Sequence, residues 1–60
     1  MMYYVYVDRM FHEMFQDYKR AEGYCLLNAE RYGWEEWHIQ GEQKQIIRSS
    51  KETNKNTGLS

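Results

Sequence analysis

The sequence contains no proline and one cysteine, so it has neither rigid linkers nor the two thiols of an intramolecular disulfide. With 60 residues it is long enough for a single domain. Domains of this size bury only about 60% of the surface that the unfolded chain exposes, and most need a crosslink, a metal or a partner subunit. We therefore expect aromatic packing or oligomerisation to supply the missing stability.

Metal ligands and catalytic motifs are also scarce. A zinc site needs about four ligands, and the spacing of His12, Cys25 and His38 matches no zinc pattern. His12 and Glu13 are adjacent, so a regular strand or helix would direct them apart rather than at one reacting atom. The sequence shows no glycine-rich phosphate loop, nucleophile elbow or paired-carboxylate motif. We expect a protein with no metal and no cofactor that is not an enzyme.

The chain also lacks an excess of basic charge and a long apolar run. Residues 1–40 carry four basic and seven acidic side chains (−3), and residues 41–60 carry four basic and two acidic (+2). Nucleic-acid-binding domains normally carry a basic patch, so nucleic acid is the weaker partner prediction and depends on the basic tail. No segment approaches the ~20 apolar residues that span a bilayer, and residues 1–7 lack a signal-peptide pattern. We expect a cytoplasmic protein with no membrane partner, in agreement with its single thiol.

Aromatic side chains are what the sequence has in quantity, at 17% of its residues. All of them precede residue 38: Tyr3, Tyr4, Tyr6, Phe11, Phe15, Tyr18, Tyr24, Tyr32, Trp34 and Trp37. Each buried aromatic removes roughly 150–250 Å² of surface from water, so a few of them can replace a larger aliphatic core.

The residue pattern predicts a helix between two strands. Residues 3–7 (YYVYV) have the composition of a strand, and residues 34–40 alternate between two sides. Over residues 17–32 a buried stripe recurs at about 100° per residue. It consists of Tyr18, Ala21, Cys25, Ala29 and Tyr32. Asp17 is placed to cap this helix and Gly33 to end it, and Cys25 on the stripe would be an inert small hydrophobe.

Residues 9–16 fit two interpretations. They would extend the helical stripe to give one helix over 9–32, but they also alternate as a strand does. A helix of that length would measure about 36 Å against ~17 Å for a five-residue strand, so we favour the strand. The expected fold is α+β, strand–strand–helix–strand, with one helix packed on a three-stranded sheet. The alternative is strand–long helix–strand.

The end of the chain is polar. Residues 42–48 are a candidate last strand, through Ile46 and Ile47, that would pair with 34–40. From residue 49 onward only Leu59 is apolar. We therefore expect a domain over 1–48 and a disordered polar tail over 49–60.

Two apolar features predict an interaction surface. If the helix covers one face of the sheet, several side chains are exposed together on the other: Tyr4, Tyr6, Trp34 and His38. Leu27 falls opposite the buried stripe with Tyr24 beside it, and the two would add a small patch. Aromatic residues are enriched at interface cores, so we expect a protein–protein surface, most simply a two-fold homodimer. Stacking of single-stranded bases on the open aromatic face is the alternative.

The function that we expect is that of a small, non-enzymatic protein-binding module that acts stoichiometrically, as a homodimer, on an unidentified protein target. Phages and mobile elements often encode free-standing domains of this size to inhibit a host defence protein. That origin is an expectation based only on the size of the domain, and no residue or motif in the sequence supports it. The alternative is a small nucleic-acid-binding accessory protein that uses the aromatic sheet face and the basic tail.

Because the potential metal ligands are few and scattered, removal of metal ions should leave the fold unchanged. We expect the same far-ultraviolet circular dichroism spectrum and the same thermal midpoint before and after exhaustive chelation. A loss of secondary structure on chelation would contradict the metal-free interpretation and indicate a site shared between subunits.

Overall fold

The computed structural model describes residues 1–51, which form an antiparallel sheet with a helix on one of its faces. Along the chain the elements are β1 (Tyr3–Val7), β2 (Met10–Phe15), α1 (Tyr18–Tyr32), β3 (Trp37–Gln40) and β4 (Ile46–Ser49). The strands lie in the order β2-β1-β3-β4, so β1 and β3 are central and β2 and β4 are the edges. Among these residues no helix is long and apolar enough to cross a membrane.

The predicted fold class is confirmed. One helix packs on one antiparallel sheet, and residues 10–15 form a strand, so the strand interpretation of 9–16 is correct and the long helix is wrong. The sheet has four strands rather than three, because Ile46–Ser49 pairs with β3 as the candidate last strand.

Local signals at both ends define α1. The Asp17 carboxylate accepts a hydrogen bond of 3.0 Å from a backbone N–H of the first turn. At the other end Gly33 adopts the left-handed conformation (φ 70°), and the Trp34 N–H donates to the Ala29 carbonyl at 3.0 Å. This closure holds Trp34 at the end of the helix. The prediction that the third strand starts at Trp34 is therefore wrong, and β3 begins at Trp37.

The core lies between α1 and the two central strands. Val5 of β1 pairs with Ile39 of β3, and both are completely buried with Ala21 and Cys25 of α1. Trp37 completes the buried set. Partly buried side chains, most of them aromatic, surround it: Tyr3, Val7, Phe15, Tyr18, Tyr24, Ala29 and Trp34. Aromatic packing thus takes the place of a larger aliphatic core.

An ion pair connects β4 to the helix. Arg48 pairs with the buried Ile39, which places it on the helix side of the sheet, and its guanidinium binds the Glu22 carboxylate. The Tyr18 hydroxyl donates to the same carboxylate at 3.3 Å. Hydrogen bonding to Tyr18 and the charge of Glu22 raise the pKa of Arg48. The edge strand β4, hydrogen-bonded to β3 on one side, is in this way joined to α1 as well.

The last residue of β4 and the residue after it also belong to the fold. Ser49 is part of β4, and the Ser50 hydroxyl accepts the Trp37 N–H at 3.2 Å and donates to the Glu35 carbonyl at 3.3 Å. The predicted disordered tail is therefore wrong at its start, because polar side chains can bond backbone groups of the sheet as well as water. Residues 52–60, which the same prediction includes, lie outside the described residues.

The β1–β2 hairpin turns through two residues with unusual backbone angles. Asp8 and Arg9 both have positive φ (53° and 69°), as the type I′ turns of two-residue hairpins require. The Asp8 N–H donates to the Glu36 carbonyl at 2.9 Å, which fixes the turn beside the segment that precedes β3. Turns of this type favour Asn-Gly, and the left-handed region is disfavoured for arginine. The hairpin therefore contains local strain at Arg9.

Arg9→Gly should stabilise the protein. Relief of the left-handed strain outweighs the entropy that glycine adds to the unfolded chain, and we expect a gain of about 0.5–1 kcal/mol in the free energy of unfolding. The matched control is Arg31→Gly, the same change in the last turn of α1, which should cost about 0.5–1 kcal/mol. Urea denaturation measures both values, and a loss of stability in Arg9→Gly would contradict the strain at this turn.

Candidate interaction surfaces

Among residues 1–51, no helix covers the sheet face that points away from α1. Because Val5 and Ile39 point toward the helix, their neighbours along β1 and β3 point the other way. Tyr6 is paired with His38, and the two rings stack with 5.0 Å between centroids and 6° between planes. The structure thus places three of the residues predicted for this surface, Tyr4, Tyr6 and His38, on one face.

The edge strands add apolar residues to this face that the sequence pattern did not single out. Phe11 pairs with Tyr6 and meets its ring edge-on at 6.0 Å, and Met14 pairs with Tyr4. Ile46 of β4 lies on the same face next to β3. Phe11 is 56% exposed, Met14 50% and Ile46 61%. We call the following set the open face: Tyr4, Tyr6, Phe11, Met14, His38, Gln40 and Ile46.

Trp34, the fourth residue predicted for this surface, lies on the helix side instead. Its ring centroid is 6.0 Å from that of Tyr24 and 6.4 Å from that of Tyr32, both in α1. It is 4.9 Å from the ring of His12 in β2. The prediction for Trp34 is wrong because the helix closure at Gly33 keeps this residue out of the alternation of β3.

A bulge in β2 brings His12 and Glu13 to the same side of the sheet. Between Val5 and Tyr6 the register of β1 with β2 shifts by one residue, so two residues of β2 occupy the space of one. Glu13 pairs with Val5, which points at the helix, and the His12 ring lies 5.9 Å from that of Tyr24. The expectation that these two side chains diverge is wrong, because it assumed a regular strand.

These rings line a pocket of about 400 Å³ beside the helix. The lining, which we call the aromatic pocket, consists of His12, Tyr24, Asn28, Tyr32 and Trp34. The Asn28 amide donates to the Tyr24 carbonyl at 2.8 Å, which orients this side chain. Burial and then the negative charge of Glu13 raise the pKa of the Tyr24 hydroxyl. The hydroxyl therefore stays protonated at neutral pH.

The structure separates the two residues of the predicted helix patch. Leu27 is 60% exposed, as its position opposite the buried stripe requires. Tyr24 turns instead toward Phe15 and Trp34, at 5.2 and 6.0 Å between ring centroids. Tyr24 therefore belongs to the aromatic pocket, and Leu27 lies outside it.

Cys25 and the residue types that bind metal ions are the remaining groups that could take part in chemistry. Cys25 is completely buried, and this burial raises the pKa of its thiol to about 11. The thiol is therefore protonated at neutral pH, a state that suits packing rather than nucleophilic attack. Within residues 1–51, no three His, Cys, Asp or Glu side chains are grouped as ligands of a metal ion.

Comparison with known proteins gives no match to a family model, to a curated protein or to a solved structure.

The burial of Cys25 predicts slow modification by a thiol reagent such as DTNB. Its pKa of about 11 lies above the usual 9.0, so the unreactive neutral thiol dominates in mildly alkaline buffer, and access requires opening of the core. We expect labelling at least about 100-fold slower in the folded protein than in urea. The matched control is Leu27→Cys in a Cys25→Ala background, whose exposed thiol on the same helix should label quickly. Equal rates at the two positions would show that α1 is rotated.

Proposed function

We propose that this chain is a non-enzymatic protein-binding module that pairs with a second copy of itself through the open face. The observation that carries the proposal is the stack of Tyr6 on His38, flanked by exposed Phe11, Met14 and Ile46. Contiguous apolar surface of this kind on a small protein normally marks an interaction site. Aromatic and methionine side chains are also typical of interface cores.

Pairing would complete a core that is small for the chain. In residues 1–51 the buried hydrophobic core consists of five side chains, all of them on the helix side of the sheet. A two-fold axis would place each open face against its copy, in the manner of two sheets packed about 10 Å apart. Folding and pairing would then stabilise each other by mass action.

The alternative, a nucleic-acid-binding accessory protein, needs basic side chains around the same face. In the described part of the chain, strand register places no lysine or arginine on the open face. Arg48 lies on the helix side with Glu22, and Lys51 pairs with Glu36 at 3.3 Å. The charge distribution therefore favours a protein over a nucleic acid as the partner.

We also propose a cellular location and a stoichiometric mode of action for this protein. A single buried thiol suits the reducing cytoplasm, where we place this protein. The dimer would leave the outer surface of α1 and its flank free for a protein target, which the module would bind stoichiometrically.

Charge placed on the open face should separate the dimer. We expect light scattering to give the mass of two chains for the wild type, and of one chain for Phe11→Glu and Ile46→Glu. Each substitution would put a carboxylate into an apolar interface, where its desolvation is costly. The matched control is Leu27→Glu, since Leu27 is 60% exposed on the opposite side, against 56% for Phe11 and 61% for Ile46.

The control should remain a dimer with an unchanged thermal midpoint, whereas the two open-face variants should also unfold at a lower temperature. A wild-type chain that stays monomeric at millimolar concentration would contradict the proposal. Binding of a single-stranded oligonucleotide with steep salt dependence, lost in Tyr6→Ala, would favour the nucleic-acid alternative instead.

A further inference from the structure

The aromatic pocket has no part in the proposed dimer, because it lies on the helix side of the sheet, but it has the composition of a binding site. Its volume of about 400 Å³ falls within the roughly 300–1,000 Å³ of small-ligand sites. Tyr32 lines the pocket and is nevertheless 64% exposed. Its ring therefore remains largely accessible at the pocket.

The planes of the rings are inclined to one another, so the surface that they form is concave rather than flat. Trp34 lies at 73° to His12 and at 57° to Tyr24, with centroids 4.9 and 6.0 Å apart. Tyr32 runs closer to parallel with Trp34, at 26° and 6.4 Å. A small group in the pocket would therefore meet several aromatic surfaces at once.

The pocket lining has no acidic or basic side chain apart from His12, and one carboxylate lies on the same side of the sheet. None of its lining residues is a lysine or an arginine, and the β2 bulge brings Glu13 to the same side, where its charge acts on the Tyr24 hydroxyl. Asn28, which also lines the pocket, donates its amide N–H to the helix backbone. Ring faces attract cations through their quadrupole, and indole does so most strongly. The pocket therefore favours a cation with apolar substituents over an anion.

We propose that the aromatic pocket binds an alkylammonium cation, held against the rings of Trp34 and Tyr24 with Glu13 as the counter-charge. Such a group has two sources, a free quaternary ammonium compound or an alkylated lysine side chain of a protein target. The site is formed by residues of one chain, so it is present in a monomer and in a dimer alike.

The test compares choline with its uncharged isostere, in which a quaternary carbon replaces the nitrogen. In a heteronuclear NMR titration the Trp34 indole signal should shift with choline, while the buried Trp37 indole serves as the internal reference. We expect choline to bind at least about fivefold more tightly than the isostere. Equal affinities, or no shift of the Trp34 signal up to tens of millimolar choline, would overturn the proposal.

Two variants locate the charge and the ring. Glu13→Gln can keep the 3.0 Å bond from the Met14 N–H, and it should weaken choline binding severalfold while the isostere binds as before. Trp34→Leu keeps an apolar side chain and should reduce the preference for the cation severalfold, followed through the Asn28 side-chain amide signal because the variant has no indole at position 34. Leu26→Ala is the matched control, because Leu26 is 47% exposed on α1 and lies outside both the pocket lining and the open face, and it should bind choline as the wild type does.

The sources are distinguished with a trimethyllysine peptide and its unmodified form. Tighter binding of the trimethylated peptide than of choline would identify a protein side chain as the ligand, and the reverse order a free cation; both results support the proposal. A monomeric wild type that prefers choline would reject the dimer and leave the pocket assignment standing. A dimeric wild type that binds choline and its uncharged isostere equally would reject the pocket assignment alone.

Discussion

The packing of α1 on the pair of central strands is the interaction on which the rest of the structure depends. Val5 and Ile39 lie side by side on β1 and β3, and Ala21 and Cys25 close over them without exposed surface. Two small residues at the contact let the helix approach the sheet closely, and a larger side chain at either position would lift it. Because this buried set is small, the edge strands and the segment before β3 need other contacts to hold them.

The width of the helix determines where those contacts lie. A helix about 10 Å across covers two strands that are about 4.8 Å apart, so α1 can cover β1 and β3 but neither edge strand fully. On the β4 side, the ion pair of Arg48 with Glu22 fills the space between the edge strand and the helix. On the β2 side aromatic rings from the helix and the strand meet at angles and leave the pocket open. An ion pair therefore closes one flank of the helix, and the other flank is concave.

Helical spacing and helix caps could be predicted from the sequence, whereas the strand register and several individual hydrogen bonds could not. The bounds of α1 and the burial of Cys25 follow from helical spacing and from caps within a few residues, and the structure has both. The bulge at His12 exists only because β2 pairs with β1 in a shifted register, which the alternation of β2 alone does not show. Trp34 alternates with the strand that follows it, yet a hydrogen bond to the helix end decides its position. The polar composition of the chain end likewise does not indicate that the Ser50 hydroxyl accepts a hydrogen bond from the backbone of β3.

The open face and the aromatic pocket are exposed for different physical reasons, and this decides what each can bind. The open face is exposed because the described part of the chain has one helix, and this helix packs on the other face. A broad, pleated apolar surface is best covered by another of the same shape. The pocket is concave because a bulge and a helix closure bring His12 and Trp34 to the flank of α1, so a flat surface cannot fill it and a protruding group can. A dimer built on the open face would present its two pockets on opposite outer sides. A target that carries two cationic groups would then gain affinity from linkage, although neither pocket changes its contacts.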